Sequence, residues 1–181
     1  MRKIVVILFI SIGLTCIAQE NNKFQVGLSY SLTNSDKRIF KNPFSGYADY
    51  QVKRWENLGM NVGLRVFYYT SKEQDNFSDK WGFNPNVSAS YHFFDNKLNA
   101  YLAVGYYFDS FTFTPTPDPF FDSSKRELKT KGATITPGLR YFVYSDFFVD
   151  ANVSLLFAKT KLMEPDDSNN TFFNIGIGVA F

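Results

Sequence analysis

The last eight residues of the chain, 174–181, read NIGIGVAF. Every second position is apolar, at Ile175, Ile177 and Val179. The chain then stops on a bare aromatic residue, Phe181. Side chains of a β-strand alternate between its two faces, so this spacing predicts a strand with one apolar face that continues to the end of the chain. Ends of water-soluble domains are usually polar and frayed, so this terminus needs a structural reason.

The opposite end of the chain has the form of a secretory leader. Two basic residues are followed by an apolar stretch from Ile4 to Leu14 and by small residues up to Ala18. The apolar stretch is shorter than the roughly twenty residues of a membrane-spanning helix. We therefore predict a cleaved signal peptide over residues 1–18 and one domain over residues 19–181. Lipid attachment at Cys16 is the less favoured alternative, because the residues before it fit that motif poorly.

Composition excludes several classes of protein. Without residues 1–18 the chain has 17 basic and 17 acidic side chains, so nucleic-acid binding has no electrostatic basis. The single Cys lies in the predicted leader, and the chain has one His, so a Cys or His metal cluster cannot be assembled. We expect no metal site and no cofactor.

Between the two ends, the apolar period is two almost everywhere, which predicts an all-β fold. Eight strands are predicted, at residues 24–33, 47–55, 58–70, 83–94, 98–114, 130–144, 147–163 and 171–181. The connections alternate between three tight turns, near residues 56, 95–96 and 145–146, and four long polar segments. This alternation is typical of an antiparallel up-and-down barrel with both chain ends on the side of the short turns.

The two faces of the predicted strands indicate which solvent surrounds the barrel. One face is apolar and uncharged, with residues such as Leu28, Val62, Leu102, Leu139 and Val149. The other carries Asn, Ser, Thr, Asp, Arg and many glycines. A polar interior of this kind would not hold a soluble barrel or sandwich together, whereas a barrel with lipid outside needs only to satisfy its own polar groups. The pattern favours an eight-stranded transmembrane β-barrel in the bacterial outer membrane, with short periplasmic turns and long extracellular loops.

The chain end resembles the C-terminal insertion signal of bacterial outer-membrane barrels. That signal has a polar residue, a Gly, an apolar residue and a terminal aromatic at the positions held here by Asn174, Gly176, Val179 and Phe181. The stretch ITPGLRYFVYSDFFVDANVSLLF, residues 135–157, is similar to the late hairpin of small outer membrane β-barrel domain proteins of the OmpX-type architecture. The resemblance implies that the barrel-assembly machinery recognises the last strand, with Phe181 in the periplasmic aromatic girdle.

Three features of the sequence do not fit regular strands. Pro85 and Pro137 lie inside predicted strands, and a closed barrel has no edge on which a missing N–H is harmless, so we expect bulges or strand starts near them. Arg54 falls on the apolar face of the second strand, which predicts that it snorkels at the periplasmic rim.

The predicted inward face carries three basic and three acidic residues. These are Lys53, Arg65 and Arg140, and Asp49, Asp109 and Asp150. In the last tight hairpin, only registers in which paired residue numbers have an even sum keep the apolar faces together. A sum of 290 sets Arg140 opposite Asp150, and a sum of 292 makes them diagonal neighbours. We predict a buried ion pair between them, in a lumen that large side chains fill.

A small membrane barrel of this kind could be an enzyme, a pore or a scaffold. A serine-type site would need His92 beside a hydroxyl and a carboxylate. Lipid A deacylases carry their His and Ser on the outer, lipid-facing surface, whereas His92 and Ser90 are both predicted to face inward. No catalytic residue is therefore assigned. A narrow pore is disfavoured by the large inward side chains. The favoured interpretation is a membrane-anchored scaffold in an adhesion, envelope-integrity or assembly role. Its loops would contact an extracellular protein, a glycan or lipopolysaccharide; a lipid A-modifying enzyme and a narrow pore are the alternatives.

Four lysines are candidate contacts for lipopolysaccharide. Lys129, Lys131, Lys159 and Lys161 share the outward phase of the sixth and seventh strands, beyond the apolar stretch. The same registers bring Lys131 opposite Lys159 or Lys161, where like charges repel. Phosphate groups at the membrane surface would turn that repulsion into attraction, and a solvated rim of lysines is the alternative.

Overall fold

The computed structural model describes residues 24–32, 43–70, 78, 80–114, 126–160 and 167–181. These residues form one closed antiparallel barrel in which each strand pairs with its neighbours in the chain and β1 pairs with β8. The strands are β1 (Phe24–Leu32), β2 (Phe44–Trp55), β3 (Leu58–Tyr69), β4 (Lys80–Phe93), β5 (Leu98–Phe113), β6 (Arg126–Phe142), β7 (Phe147–Thr160) and β8 (Asp167–Ala180). The prediction of an all-β, eight-stranded barrel is confirmed.

Four strands begin earlier than the sequence suggested. β2 begins at Phe44, β4 at Lys80, β6 at Arg126 and β8 at Asp167, each inside a segment that the polar composition had marked as loop. Backbone hydrogen bonds between strands do not depend on side-chain polarity. Strands therefore extend past the apolar band as long as a neighbouring strand pairs with them. The predicted signal peptide lies outside the described residues.

Short turns connect the strands at one end of the barrel, which we call the turn end; the other is the loop end. The turns include residues 56–57, 94–97 and 143–146. Glu56 and the consecutive residues Phe94, Asp95 and Asn96 have positive φ angles of 47°, 51°, 52° and 70°. Left-handed residues let the turns at 56–57 and 94–97 follow the right-handed twist of the strands.

Phe24, the first described residue, and Phe181 pair at the turn end, where β1 and β8 close the barrel. The Phe24 N–H donates to the Phe181 carbonyl at 3.1 Å, and the Phe181 N–H donates to the Phe24 carbonyl at 2.7 Å. The C-terminal strand β8 therefore supplies the backbone hydrogen-bond partners for the edge of β1 that β2 does not cover.

The two faces of the strands are distributed as predicted. Apolar side chains face outward, and Leu28, Val87 and Ile177 are each more than half exposed. Polar side chains face the lumen, where Asn152, Ser154 and Asn174 are buried. The part of the chain described here contains no helix with the length and hydrophobicity of a membrane span.

The two strand prolines do not cause the predicted bulges. Pro85 stays in register with Leu64 on β3, and Pro137 stays in register with Leu102 on β5. On the opposite side of each proline, two successive pairs are missing from the ladder, and the same register resumes beyond the gap. A proline lacks the N–H for one neighbour only, so the loss is confined to that side and the strand continues.

A bulge does occur in β2, where it reverses two predictions. The register shifts between Gln51 and Lys53, so that Lys53 pairs with the outward Met60 and Arg54 pairs with the inward Gly59. Lys53 is therefore exposed outside, 4.8 Å from the ring centroid of Trp55, and does not belong to the lumen. Arg54 takes the inward phase instead of the predicted outward one. One extra residue in a strand exchanges the faces of every residue after it.

Candidate functional site

The centre of the lumen is organised by Arg140 of β6. Its Nε donates to Asp150 of β7 at 2.7 Å, and its Nη2 donates to Asp49 of β2 at 2.5 Å. Its Nη1 donates to the side-chain carbonyl of Gln25 on β1. Arg140 is directly opposite Asp150 in the register of sum 290, which is one of the two registers predicted, and the predicted ion pair is confirmed. One guanidinium thus joins four strands around the barrel.

Further hydrogen bonds complete the surroundings of Asp150, which is fully buried. The Tyr101 hydroxyl donates to its two oxygens at 3.0 and 3.1 Å, and the Asn152 amide donates to one of them at 2.6 Å. Charge-assisted hydrogen bonds of this kind offset the cost of burying a carboxylate. The ring of Tyr101 also lies 4.7 Å from the Arg140 guanidinium, which adds a cation–π contact.

The network continues toward the loop end through amides and hydroxyls. Asn174 donates to Asn152 at 2.7 Å and accepts from Ser31 at 2.5 Å. Arg65, also buried, donates to Asn152 at 3.2 Å, and its guanidinium lies 5.2 Å from the Tyr47 ring centroid. Polar groups from β1, β3, β7 and β8 are therefore paired with one another, as a lumen without bulk water requires.

Two apolar layers enclose this polar centre. The loop-end layer consists of Phe67, Tyr69, Tyr107, Leu156, Ala158 and Phe172, and the second layer consists of Tyr47, Phe148 and Ala180 with Phe142 packed against them. In the polar region between the layers, one internal cavity of about 20 Å³ is lined by residues that include Asp49, Tyr101 and Arg140. Such a space holds at most about one water molecule. Between the two apolar layers, the described strands thus enclose a lumen filled by side chains.

A second buried ion pair lies close to the loop-end layer. Lys80 of β4 donates to Asp109 of β5 at 2.7 Å, and Tyr107 donates to the same carboxylate oxygen at 2.5 Å. Asp109 was expected in the lumen, but Lys80 was assigned to a loop. The inward alternation of Lys80 with Gly82 and Asn84 was the sequence signal for it. The lumen therefore gains a basic residue, Lys80, at the loop end, whereas the predicted lumen residue Lys53 lies near the turn end and faces outward.

His92 lies inward near the turn end, as predicted. Among the described residues, neither of its ring nitrogens has a hydrogen-bond partner. The neighbouring Ser90 hydroxyl accepts from Asn61 at 3.2 Å. The side chains of Ser90, Gln51 and His92 converge over Gly59, where a Cβ atom would lie 2.6 Å from the serine oxygen. In the described region Gln51 and His92, together with Gln25, line the polar inner part of a cavity of about 630 Å³ at the turn end.

Three of the four candidate lysines, Lys129, Lys131 and Lys159, fall at the loop end of β6 and β7. Lys129 and Lys131 are exposed, and Lys131 is directly opposite Lys159 in the backbone register. Two acidic residues accompany them: Glu127 forms an ion pair with Lys129 at 3.2 Å, and Asp167 is opposite Lys159 in the backbone register on β8. Lys161 lies outside the described residues. The cluster is therefore of mixed charge with a basic excess.

The residues of the terminal motif divide between the two faces. Asn174 and Gly176 face the lumen, and a Cβ atom at Gly176 would come within 2.7 Å of the Ser29 side chain on β1. Val179 takes the outward phase, and Phe181 continues the pairing with Phe24. Within the motif, Asn174 and Gly176 thus pack closely in the lumen, and Val179 contributes to the apolar outer wall.

A family model described as outer membrane protein beta-barrel domain matches residues 4–181. A search of curated proteins gives no match. Solved structures with a similar fold include Ail, the attachment invasion locus protein of Yersinia pestis, at 16% identity over 87% of this chain and 96% of that chain, with a TM-score of 0.57.

Two further solved structures are comparably similar. The N-terminal β-barrel domain of Pseudomonas aeruginosa OprF is 17% identical over 90% of this chain and all of that chain, with a TM-score of 0.55. Neisserial surface protein A is 16% identical over 87% of this chain and 96% of that chain, with a TM-score of 0.54. At these identities the similarity concerns the fold.

Proposed function

Because the chain belongs to the outer membrane protein beta-barrel domain family, we propose that it is a membrane-anchored scaffold with a plugged lumen that acts through its extracellular end. The family resemblance seen in the sequence is confirmed, and the protein is an outer-membrane barrel of the kind found in Gram-negative bacteria. In such barrels the short turns face the periplasm and the loop end faces outward.

The filled lumen is the observation that carries this proposal. An eight-stranded barrel is only just wide enough for side chains to fill, and here two apolar layers enclose a paired polar centre. A pore would need a continuous polar path, and the loop-end layer of Phe67, Tyr107 and Phe172 interrupts it. The surface available for contact is then the loop end.

An enzymatic role has less support. A serine-type mechanism needs a histidine that is hydrogen-bonded to both the nucleophile and an orienting carboxylate. Within the described strands, Ser90 is bonded to Asn61, and the ring nitrogens of His92 bond to neither a hydroxyl nor a carboxylate. We propose that the protein does not catalyse a reaction.

Conductance tests the plugged lumen. We expect purified protein in planar bilayers to give a current that stays at the baseline, under conditions in which a general porin gives discrete steps. Reproducible single-channel steps from heat-modifiable, folded protein would contradict the proposal. Heat modification means that the unboiled protein migrates differently from the boiled chain on SDS gels, and it verifies that the barrel is folded.

The lysines at the loop end support a finer proposal, in which they contact phosphate groups of lipopolysaccharide. Lys131 and Lys159 are paired across β6 and β7, where a shared anion would relieve their repulsion. A structure of Ail has been solved in complex with the heparin analogue sucrose octasulfate. The ligand in that complex is an analogue of a polyanionic glycan. The complex therefore supports an external polyanion as the class of ligand that the lysines of this chain bind.

Charge reversal tests this contact. The double variant Lys131→Glu with Lys159→Glu should lower the free energy of unfolding by about 1–3 kcal/mol in bilayers that contain lipopolysaccharide, because charge-assisted hydrogen bonds are lost. In neutral detergent the loss should be smaller, below about 1 kcal/mol, and should come from the new carboxylate at position 159 opposite Asp167. The matched control is Lys97→Glu in the turn at residues 94–97, which should show no difference between the two media. If the double variant lost the same free energy of unfolding in both media, the lysines would form only a solvated rim that makes no contact with lipopolysaccharide.

A further inference from the structure

The outer wall of the barrel carries an apolar groove near the loop end. Its volume is about 640 Å³, and its lining spans six adjacent strands, from β7 through β8 and β1 to β4. Leu28 and Ile177 lie on one side of the groove and Val66 on the other, while Gly46 of β2 contributes only backbone. This volume is within the range of pockets that hold small organic ligands.

Gly46 differs from the other glycines of the described strands. At each of the other nine, a Cβ atom would come closer than 3.0 Å to a neighbouring atom, so the packing of the lumen or of the backbone requires glycine there. At Gly46 the nearest atom would be the Leu28 side chain at 3.6 Å, which is an ordinary contact. Sterics therefore do not require a glycine at this position. Its effect is to keep the groove open on the outward face.

An aromatic row marks the loop-end rim of the groove. Tyr30, Phe44, Tyr68 and Trp81 pair across four neighbouring strands, one outward position beyond Gly46. The rings of Tyr30 and Phe44 are 4.9 Å apart between centroids, and those of Tyr68 and Trp81 are also 4.9 Å apart. Aromatic belts sit at the level of lipid headgroups. The groove therefore opens into the hydrocarbon region immediately below the extracellular interface.

We propose that this groove holds one acyl chain of a lipopolysaccharide molecule. The groove is continuous with the apolar wall that faces membrane lipid, and its rim lies on the extracellular side, where the outer-leaflet lipid is lipopolysaccharide. Strands of such barrels tilt by about 35–45°, so a lipid chain along the membrane normal crosses several strands, as the lining residues do. The inference rests on the outer-membrane location and not on the lysine contact, which lies at β6 and β7.

Native mass spectrometry of the folded protein tests the groove, with hexa-acylated lipid A as the probe and phosphatidylethanolamine as the competitor. We expect the protein to retain one lipid A molecule in preference to the phospholipid. Gly46→Leu, which fills the groove, should weaken lipid A retention about tenfold, which corresponds to about 1.4 kcal/mol. The matched control is Ala133→Leu, an exposed outward position of β6 opposite Tyr106 on β5, which should retain lipid A like the parent chain.

Three results would overturn the proposal: equal retention by Gly46→Leu and the parent chain, equal retention of phosphatidylethanolamine, or a dimer that replaces the lipid adduct. If Gly46→Leu does not fold, Trp81→Ala at the rim serves instead and should show the same loss of lipid A. The Lys131 and Lys159 variant should retain the acyl chain, so failure of the lysine contact is distinguishable from failure of the groove.

Discussion

Replacing Arg140 by leucine is expected to lower the free energy of unfolding by about 3–5 kcal/mol, because removal of one partner leaves buried charges uncompensated. The loss is large because Arg140 serves two carboxylates, Asp150 at 2.7 Å and Asp49 at 2.5 Å. A leucine would fill part of the volume but would leave both acids in a lumen of low dielectric constant. Equilibrium unfolding by urea in detergent micelles, followed by the fluorescence of Trp55 and Trp81, measures the change.

The matched control for Arg140 is the same substitution at Arg54. Arg54 is exposed at the turn end and donates to the Glu56 carbonyl at 2.9 Å and to the Asn96 side chain, so Arg54→Leu should cost less than about 1 kcal/mol. Arg140→Lys keeps one charge but loses the planar fork that reaches two acids, and should fall between the two. A loss below about 0.5 kcal/mol for Arg140→Leu, which is typical of neutral surface changes, would mean that the network is solvated.

Truncation of the Phe181 side chain is expected to prevent most of the protein from reaching the outer membrane while the purified chain still folds in detergent. We propose that the barrel-assembly machinery recognises the terminal motif, of which the aromatic ring is the last element. Phe181→Ala keeps the two backbone hydrogen bonds to Phe24 that close the barrel, whereas deletion of the residue removes them. The substitution therefore separates recognition from closure. Fractionated membranes and heat-modified SDS gels measure the assembled protein.

Deletion of Phe181 should affect both assembly and stability. Each lost hydrogen bond contributes about 0.5–1.5 kcal/mol, so the deleted chain should also unfold more readily in detergent than Phe181→Ala. Phe173→Ala, an outward aromatic on the same strand but outside the motif, is the control and should assemble normally. If Phe181→Ala assembles as well as this control, the ring is not part of an assembly signal. The same membrane preparations test the predicted leader, since mature protein should begin at Gln19.

The sequence by itself determined the fold class, the strand number and the inside-out distribution of polarity. A period of two is a local property, and the lipid-facing side chains of a membrane barrel must be apolar along the whole bilayer thickness. The chain end at Phe181 and the tight turns near residues 56, 95 and 145 were therefore readable from local pattern alone. The Arg140–Asp150 pair was also predictable, because the two residues share one tight hairpin whose length limits the register.

Only the tertiary structure decided which residues occupy the lumen where local pattern failed. The bulge in β2 moved Lys53 outside and Arg54 to the inner phase, and nothing in the local alternation fixes the position of an inserted residue. Asp49, 91 positions from Arg140 in the chain, joined its network through barrel closure. Lys80 lies in the lumen because β4 stays in register with β3 beyond the apolar band, as far as the Tyr69–Lys80 pair. Barrel closure and strand stagger determine such contacts between distant residues, and both are properties of the whole ring of hydrogen-bonded strands.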